Sequence, residues 1–189
     1  VGDRVSVTMG MPGGGRYGIE CFGGDSQLTR APAASCVKVR DEVGFAEATV
    51  ISRHGPVAYN LLFNMGELKA GQTVLILGAA GNLGSIGIQL AKAAGATVIA
   101  AAGSAARAAI GTALGADHAV DYSVVNLKDA IMDITDGDGV DLFYDNIANP
   151  DILAAQKAST NPPMVHPLVR THPDTGTKAI WFHKSKTET

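Results

Sequence analysis

The feature that most narrows the fold of this 189-residue sequence lies at residues 73–94. A short apolar run, TVLIL at 73–77, breaks into Gly78-Ala79-Ala80-Gly81-Asn82-Leu83-Gly84. An apolar stripe at helical spacing follows through Leu83, Ile86, Gly87, Leu90, Ala91 and Ala94. Five residues are too few for an independent helix, so the run reads as a buried strand and the stripe as a helix that covers it. A strand feeding a glycine turn that opens straight into a helix is the start of a strand-helix-strand unit.

The unit repeats. Apolar runs at 96–102 (ATVIAAA), 118–122 (HAVDY) and 140–144 (VDLFY) alternate with helical stretches at 106–114 and 127–134, the second capped by Asn126 and ended by Gly137. Strands joined by such helices lie parallel with right-handed crossovers, and continuously apolar strands imply helices on both faces. The expected class is α/β with a doubly wound parallel sheet. Upstream, residues 1–52 are rich in Gly and β-branched residues. Val1-Gly2-Asp3-Arg4-Val5-Ser6-Val7 alternates like a strand before Pro12-Gly13-Gly14-Gly15 interrupts it. A helix is expected from Pro56, with Val57, Leu61, Leu62 and Met65 on one side and Gly66 as its stop.

Downstream, residues 158–189 carry Asn161-Pro162-Pro163, the histidines His166, His172 and His183, and the only Trp. Their one strand-like run, 178–183, has no crossover pattern before it. The sheet is therefore expected to stop, incomplete, at four strands. A bare fourth edge would favour a homodimer or self-association.

Charge and composition exclude several classes. Fifteen Lys and Arg against eighteen Asp and Glu give a net charge of -3, and no polybasic block is present to neutralise a nucleic-acid backbone. With 46% hydrophobic and 17% charged residues the chain can bury a core, unlike a disordered sequence. Gly, Asn, Gln and Lys interrupt every apolar stretch before the roughly 18 to 20 residues that a membrane-spanning helix needs. Cys21 and Cys36 are too few for a thiolate zinc quartet or a disulfide framework. No secretory signal is legible after Val1, so a cytoplasmic setting is expected, and the missing initiator Met reads as a partial or trimmed chain.

The glycine turn has a chemical purpose. Gly81 lets backbone N–H groups approach a diphosphate, Gly84 lets helix and strand pack closely, and the helix N-terminus adds partial positive charge. Against the G-x-G-x-x-G pattern the first glycine is replaced, giving Ala79-x-Gly81-x-x-Gly84; Ala79, Ala80, Gly81, Asn82, Leu83 and Gly84 are the candidate dinucleotide contacts. Which dinucleotide follows from charge. An acid at the end of the second strand would accept ribose hydroxyls and repel a 2'-phosphate. Here the strand ends in Ala100-Ala101-Ala102-Gly103-Ser104 with no acid, and Arg107 comes one turn later. Gly103, Ser104 and Arg107 thus point to NADPH, with NADH possible; Ser104 as an ordinary N-cap beside a solvated Arg107 is the competing reading.

These residues, together with Val1-Gly2-Asp3-Arg4-Val5, Ala58-Tyr59-x-x-Leu62, Leu68-Lys69-Ala70-Gly71-Gln72-Thr73-Val74-Leu75, Gln89-Leu90-Ala91-Lys92, Leu114-Gly115-Ala116-Asp117 and Gly139-Val140-Asp141, resemble the medium-chain dehydrogenase/reductase superfamily. The nearest branch is the zinc-free quinone oxidoreductase and enone reductase group, and the likeness covers roughly residues 1–152. It implies the end of a GroES-like catalytic domain at 1–52 and an incomplete, Rossmann-type NAD(P)-binding domain at 53–157. It also implies hydride transfer from the nicotinamide to a quinone or α,β-unsaturated carbonyl, chemistry for which no acid or base residue is singled out. By the same resemblance Tyr122 lies near the adenosine half, and Asn146, more than Asp145, lies beside the nicotinamide ribose. Residues 160–189, with the string HPLVRTHPDTG, resemble a stretch of the taurine and 2,4-D type Fe(II)/2-oxoglutarate dioxygenases. That family's iron ligands lie outside the stretch, so His166, His172 and Asp174 read as loop residues. Together the two likenesses leave a second reading open, a non-catalytic fusion or remnant that at most binds the dinucleotide, and a third, an Fe(II)/2-oxoglutarate dioxygenase fragment, for which the sequence supplies too few ligands. Asp136-Gly137-Asp138-Gly139 lacks the closing Glu of a calcium loop and reads as a turn.

Overall fold

The computed structural model describes residues 2–8, 15, 27–146, 169–171 and 178–181. Gly13, Gly14, Cys21, His166, His172 and Asp174 lie outside them. The chain divides into two compact units, Val1–Val57 and Ala58–Thr189. In the first, β1 (Val5–Val7) pairs antiparallel with β2 (Cys36–Lys38), Val5 opposite Lys38 and Val7 opposite Cys36. The Arg4 guanidinium donates to the carbonyls of Arg40, Asp41 and Val43 at 2.8, 2.9 and 2.8 Å and stacks 4.4 Å from the Phe45 ring centre. One planar cation thereby satisfies three loop carbonyls that no strand pairs.

Helix α1 (Phe45–Tyr59) begins well before the expected start, and Pro56 sits inside it. Phe45, Val50 and Ile51 are exposed and Ala48 is buried, so the first turns carry no continuous apolar stripe for periodicity to detect. The helix passes into a wider π-type turn, Asn60–Met65, that buries Leu61 and Leu62. Gly66 ends it, its N–H donating to the Leu61 carbonyl at 2.9 Å.

In the second unit the elements run β3 (Thr73–Leu77), α2 (Asn82–Ala93), β4 (Thr97–Ala102), α3 (Ala105–Ala113), β5 (His118–Asp121), α4 (Leu127–Ile134) and β6 (Leu142–Asp145). Two short strands follow, β7 (Val169–Thr171) and β8 (Lys178–Trp181). They form one sheet in the order β5-β4-β3-β6-β8-β7, parallel throughout except for β7. The α/β expectation holds, and both faces are covered. On one, Leu75, Leu77, Ile99, Ala101 and Val120 cluster with Ile131 of α4. On the other, Val74, Ile76, Val98 and Ala100 are fully buried. There, a Cβ on Gly87 of α2 would fall 3.6 Å from Ile76 Cδ1, and one on Gly111 of α3 would collide with the Ala100 Cβ. Small residues on both sides thus let α3 sit close to β4.

The expectation of a four-stranded sheet with a bare edge is corrected. β8 pairs with β6 from Leu142↔Lys178 to Asp145↔Trp181, and β7 pairs with β8 in turn. Neither strand carries a helical crossover signature, because the periodicity of the intervening sequence holds no amphipathic stripe. The β6 edge is therefore occupied and offers no bare strand through which a second copy could pair.

Candidate functional site

From β3 the chain moves to β4 and β5 on one side, then returns to place β6 on the other. The order reverses between β3 and β6, and in open α/β sheets a ligand crevice lies outside the carboxyl ends of the strands at that switch point. The residues there are those of the glycine turn and Asn146.

The turn leaves β3 at Gly78, whose φ of 69° suits a residue without a side chain. The Gly81 N–H closes it on the Gly78 carbonyl at 2.8 Å, and the Ala79 N–H donates to the Ala101 carbonyl at 3.2 Å. A Cβ on Gly84 would run into the Gly78 oxygen and fall 2.8 Å from its carbonyl carbon, so α2 begins directly against the turn. Its N-cap, Gly81, supplies no side-chain acceptor. The other two helices of the repeat are capped, α3 by Ser104 Oγ accepting from the Arg107 amide and α4 by Asn126 accepting from Lys128 and Asp129. The first amides of α2, at Asn82, Leu83 and Gly84, thus lack the side-chain partner their counterparts have, and Ala80, Gly81 and Asn82 are exposed.

Asn146 joins the two sides of the switch. Its Nδ2 donates to the Leu77 carbonyl at 3.2 Å, tying the end of β6 to the end of β3, and its Oδ1 is buried with no partner among the described residues. A buried acceptor left unpaired costs about 1 to 3 kcal/mol unless a ligand or water supplies a donor. Uncapped amides and an unpaired buried acceptor fit a dinucleotide, whose diphosphate accepts and whose ribose or carboxamide donates.

A second corner forms at the neighbouring strand ends. Tyr122 lies over Gly103: a Cβ there would be 3.3 Å from the ring Cε2 and 3.4 Å from the hydroxyl. Ser104 Oγ accepts from the Arg107 amide at 3.4 Å, so its capping role is realised, and its own hydroxyl proton remains a donor. Arg107 is exposed in the first turn of α3. The structure thus groups Gly103, Ser104, Arg107 and Tyr122, and separately residues 79–84 with Asn146.

Sequence reasoning missed Asp121. It is in register with Ala102, so the acid absent from the end of β4 stands at the end of the adjacent strand. Its Oδ1 accepts from the Ser123 amide at 2.9 Å and from the Ser123 hydroxyl at 2.6 Å. The Ser123 hydroxyl, then its amide, then the Ala105 N–H hold the carboxyl below the usual range. The Asp-x-Ser turn signature was the available signal.

A cavity of about 560 Å³ opens at the opposite end of the sheet, where Thr73, Thr97, His118 and Asp141 stand at or beside the strand starts. It shares no residue with either corner. Among the described residues no three His, Cys, Asp or Glu side chains gather into a metal-ligating group, and no helix is long and apolar enough to cross a membrane.

Comparison with known proteins agrees with this fold. Residues 82–162 match the family described as zinc-binding dehydrogenase. A 2-haloacrylate reductase of Burkholderia sp. is 33% identical over 149 residues, 78% of this chain and 42% of that protein. The structure of a quinone oxidoreductase from Pseudomonas syringae pv. tomato DC3000 superposes with a TM-score of 0.66 at 33% identity, covering 81% of this chain and 44% of that one. The Escherichia coli quinone oxidoreductase complexed with NADPH gives a TM-score of 0.59 at 29% identity, over 65% and 37% of the two chains. The chain spans less than half the length of the curated relatives it matches, 48% and 42% of two of them. None of these proteins is described as a dioxygenase, so the likeness of residues 160–189 to that family finds no support among them. The fold is the Rossmann-type fold of these oxidoreductases, and residues 82–162 match a zinc-binding dehydrogenase domain, with quinone oxidoreductases among the chain's relatives.

Proposed function

We propose that this chain is the nucleotide-binding portion of an NADPH-dependent oxidoreductase acting on a quinone or an α,β-unsaturated carbonyl. The observation that carries the proposal is the switch-point pair: uncapped α2 amides on one side and, on the other, the buried Asn146 Oδ1, which has no partner among the described residues. The NADPH complex of the Escherichia coli relative and the reductase activity named for the Burkholderia relative support it. Ala79, Ala80, Gly81, Asn82, Leu83 and Gly84 would hold the diphosphate, and Asn146 the nicotinamide half. Gly103, Ser104, Arg107 and Tyr122 would hold the adenosine half with its 2'-phosphate. When bound, the nicotinamide supplies the hydride; the chain's part is to grip and orient it. The zinc-free character, the domain limits 1–52, 53–157 and 158–189, and the cytoplasmic setting belong to this same proposal.

The experiment is NADPH binding followed by quinone-dependent oxidation at 340 nm. Saturable binding with turnover supports the enzymatic reading. Saturable binding without turnover assigns the chain a binding role alone, the non-catalytic alternative. No binding removes both.

A further inference from the structure

We infer that Asp121 is a specificity-determining residue: its carboxylate, fixed beside the first turn of α3, opposes the 2'-phosphate that Arg107 attracts and so limits the preference for NADPH over NADH. This rests on the nucleotide reading above and goes beyond it, since the absence of an acid from β4 had suggested an unopposed phosphate site.

The placement follows from the sheet. Asp121 ends β5 opposite Ala102, which ends β4, and the chain leaves those two positions as Tyr122-Ser123 and Gly103-Ser104. The Tyr122 ring against Gly103 holds the two exits together. Both hydrogen bonds from Ser123 fix the carboxylate on its own strand end, opposite Ala102, which lies two residues before the Ser104 cap of α3. The chain's own carboxylate thus ends the strand next to the one that leads into α3, and the Ser104 oxygen takes the Arg107 amide. A 2'-phosphate arriving here gains the Arg107 side chain and the Ser104 hydroxyl proton but meets a fixed negative charge. The ribose hydroxyls of NADH carry no charge and meet no such repulsion.

The test measures the affinities of NADPH and NADH for the chain by nicotinamide fluorescence, in wild type and Asp121→Asn. Asparagine keeps an oxygen for the Ser123 amide and loses only the charge. The NADPH-to-NADH affinity ratio is expected to rise about three- to tenfold at low salt, and the rise to shrink at high salt as the charge is screened. Asp121→Ser, also uncharged and able to accept from the same amide, is expected to act likewise should the asparagine variant fail to fold. Both cofactors binding with an unchanged or lowered ratio would overturn the role of Asp121 alone. Failure of both to bind wild type would overturn the nucleotide reading and this inference with it.

Discussion

Gly84 and Gly81 look alike in sequence, yet the structure asks different things of them. A Cβ at Gly84 would strike the backbone of Gly78, which has no rotamer with which to yield, whereas one at Gly81 would come only to 3.2 Å from the Gly78 oxygen. Gly84→Ala is expected to lower stability by about 1 to 3 kcal/mol, and Gly81→Ala by less, as read by urea denaturation. Equal costs would mean that α2 does not start hard against the turn. Tyr144 presents the opposite case. It is fully buried on β6 beside Gly87, its hydroxyl has no partner among the described residues, and burial pushes its pKa up. Removing an unsatisfied buried hydroxyl relieves a desolvation cost, so Tyr144→Phe should leave stability unchanged or raise it by about 1 kcal/mol. A loss of stability would reveal a partner for that oxygen. At this scale the sequence was legible where backbone geometry forces a residue type, as at Gly84, or where a cap does, as at Asn126. Asp121 was illegible because its importance comes from Ala102, which lies next to it only once β4 and β5 pair.

Among the elements, the four repeated strands and three helices were read nearly to their ends, because buried parallel strands and one-sided helices leave unmistakable periodicities. Helix α1 was cut short, since its first turns expose Phe45, Val50 and Ile51 instead of burying a stripe. What periodicity cannot show is how elements are pinned, and the Lys92–Asp117 clamp does this for three of them. Lys92, in the last turn of α2, donates to both Asp117 oxygens at 2.7 and 2.9 Å, and the Val98 amide of β4 donates to Asp117 at 2.7 Å just before β5 begins. Burial raises the Asp117 pKa, but the Lys92 hydrogen bond, the Val98 N–H and the Lys92 charge together outweigh it, and the net shift is downward. A carboxyl depressed in the folded state stabilises above its unfolded value, and that contribution is lost as pH falls through the folded value. The clamp should therefore act fully above about pH 4 and fade below it. Both side chains are about a third exposed, at 33% and 36%, so solvent screening holds the effect to about 1 kcal/mol or less. Lys92→Met is expected to flatten the fall in melting temperature between about pH 4 and pH 2.5; an unchanged slope would remove Asp117 from the acid response.

For the whole molecule, the sequence indicated a sheet cut off at four strands, and the structure carries it to six by drawing β8 and β7 from the region that had looked foreign. The physical reason is that strand pairing needs only short extended backbone: the run at 178–183 supplies it with no helical crossover before it, and the three residues of β7 are too few to leave a pattern. Because β8 lies between β6 and β7, its N–H groups serve one neighbour or the other. Ile180→Pro must therefore cost a ladder bond, and it is expected to lower the melting temperature and increase self-association in sedimentation as the β6 edge is uncovered. A variant as stable and as monodisperse as wild type would show that β8 contributes nothing to covering that edge. The central claim is that the main-chain amides at the start of α2, opposite Asn146, grip a diphosphate. The most direct measurement is a nicotinamide-fluorescence titration of the wild-type chain with NADPH, repeated in the presence of ADP, which carries the diphosphate without the nicotinamide. Saturable binding of one NADPH per chain, competed by ADP, is the predicted result; a folded chain showing no saturable change, or binding that ADP leaves untouched, would contradict it.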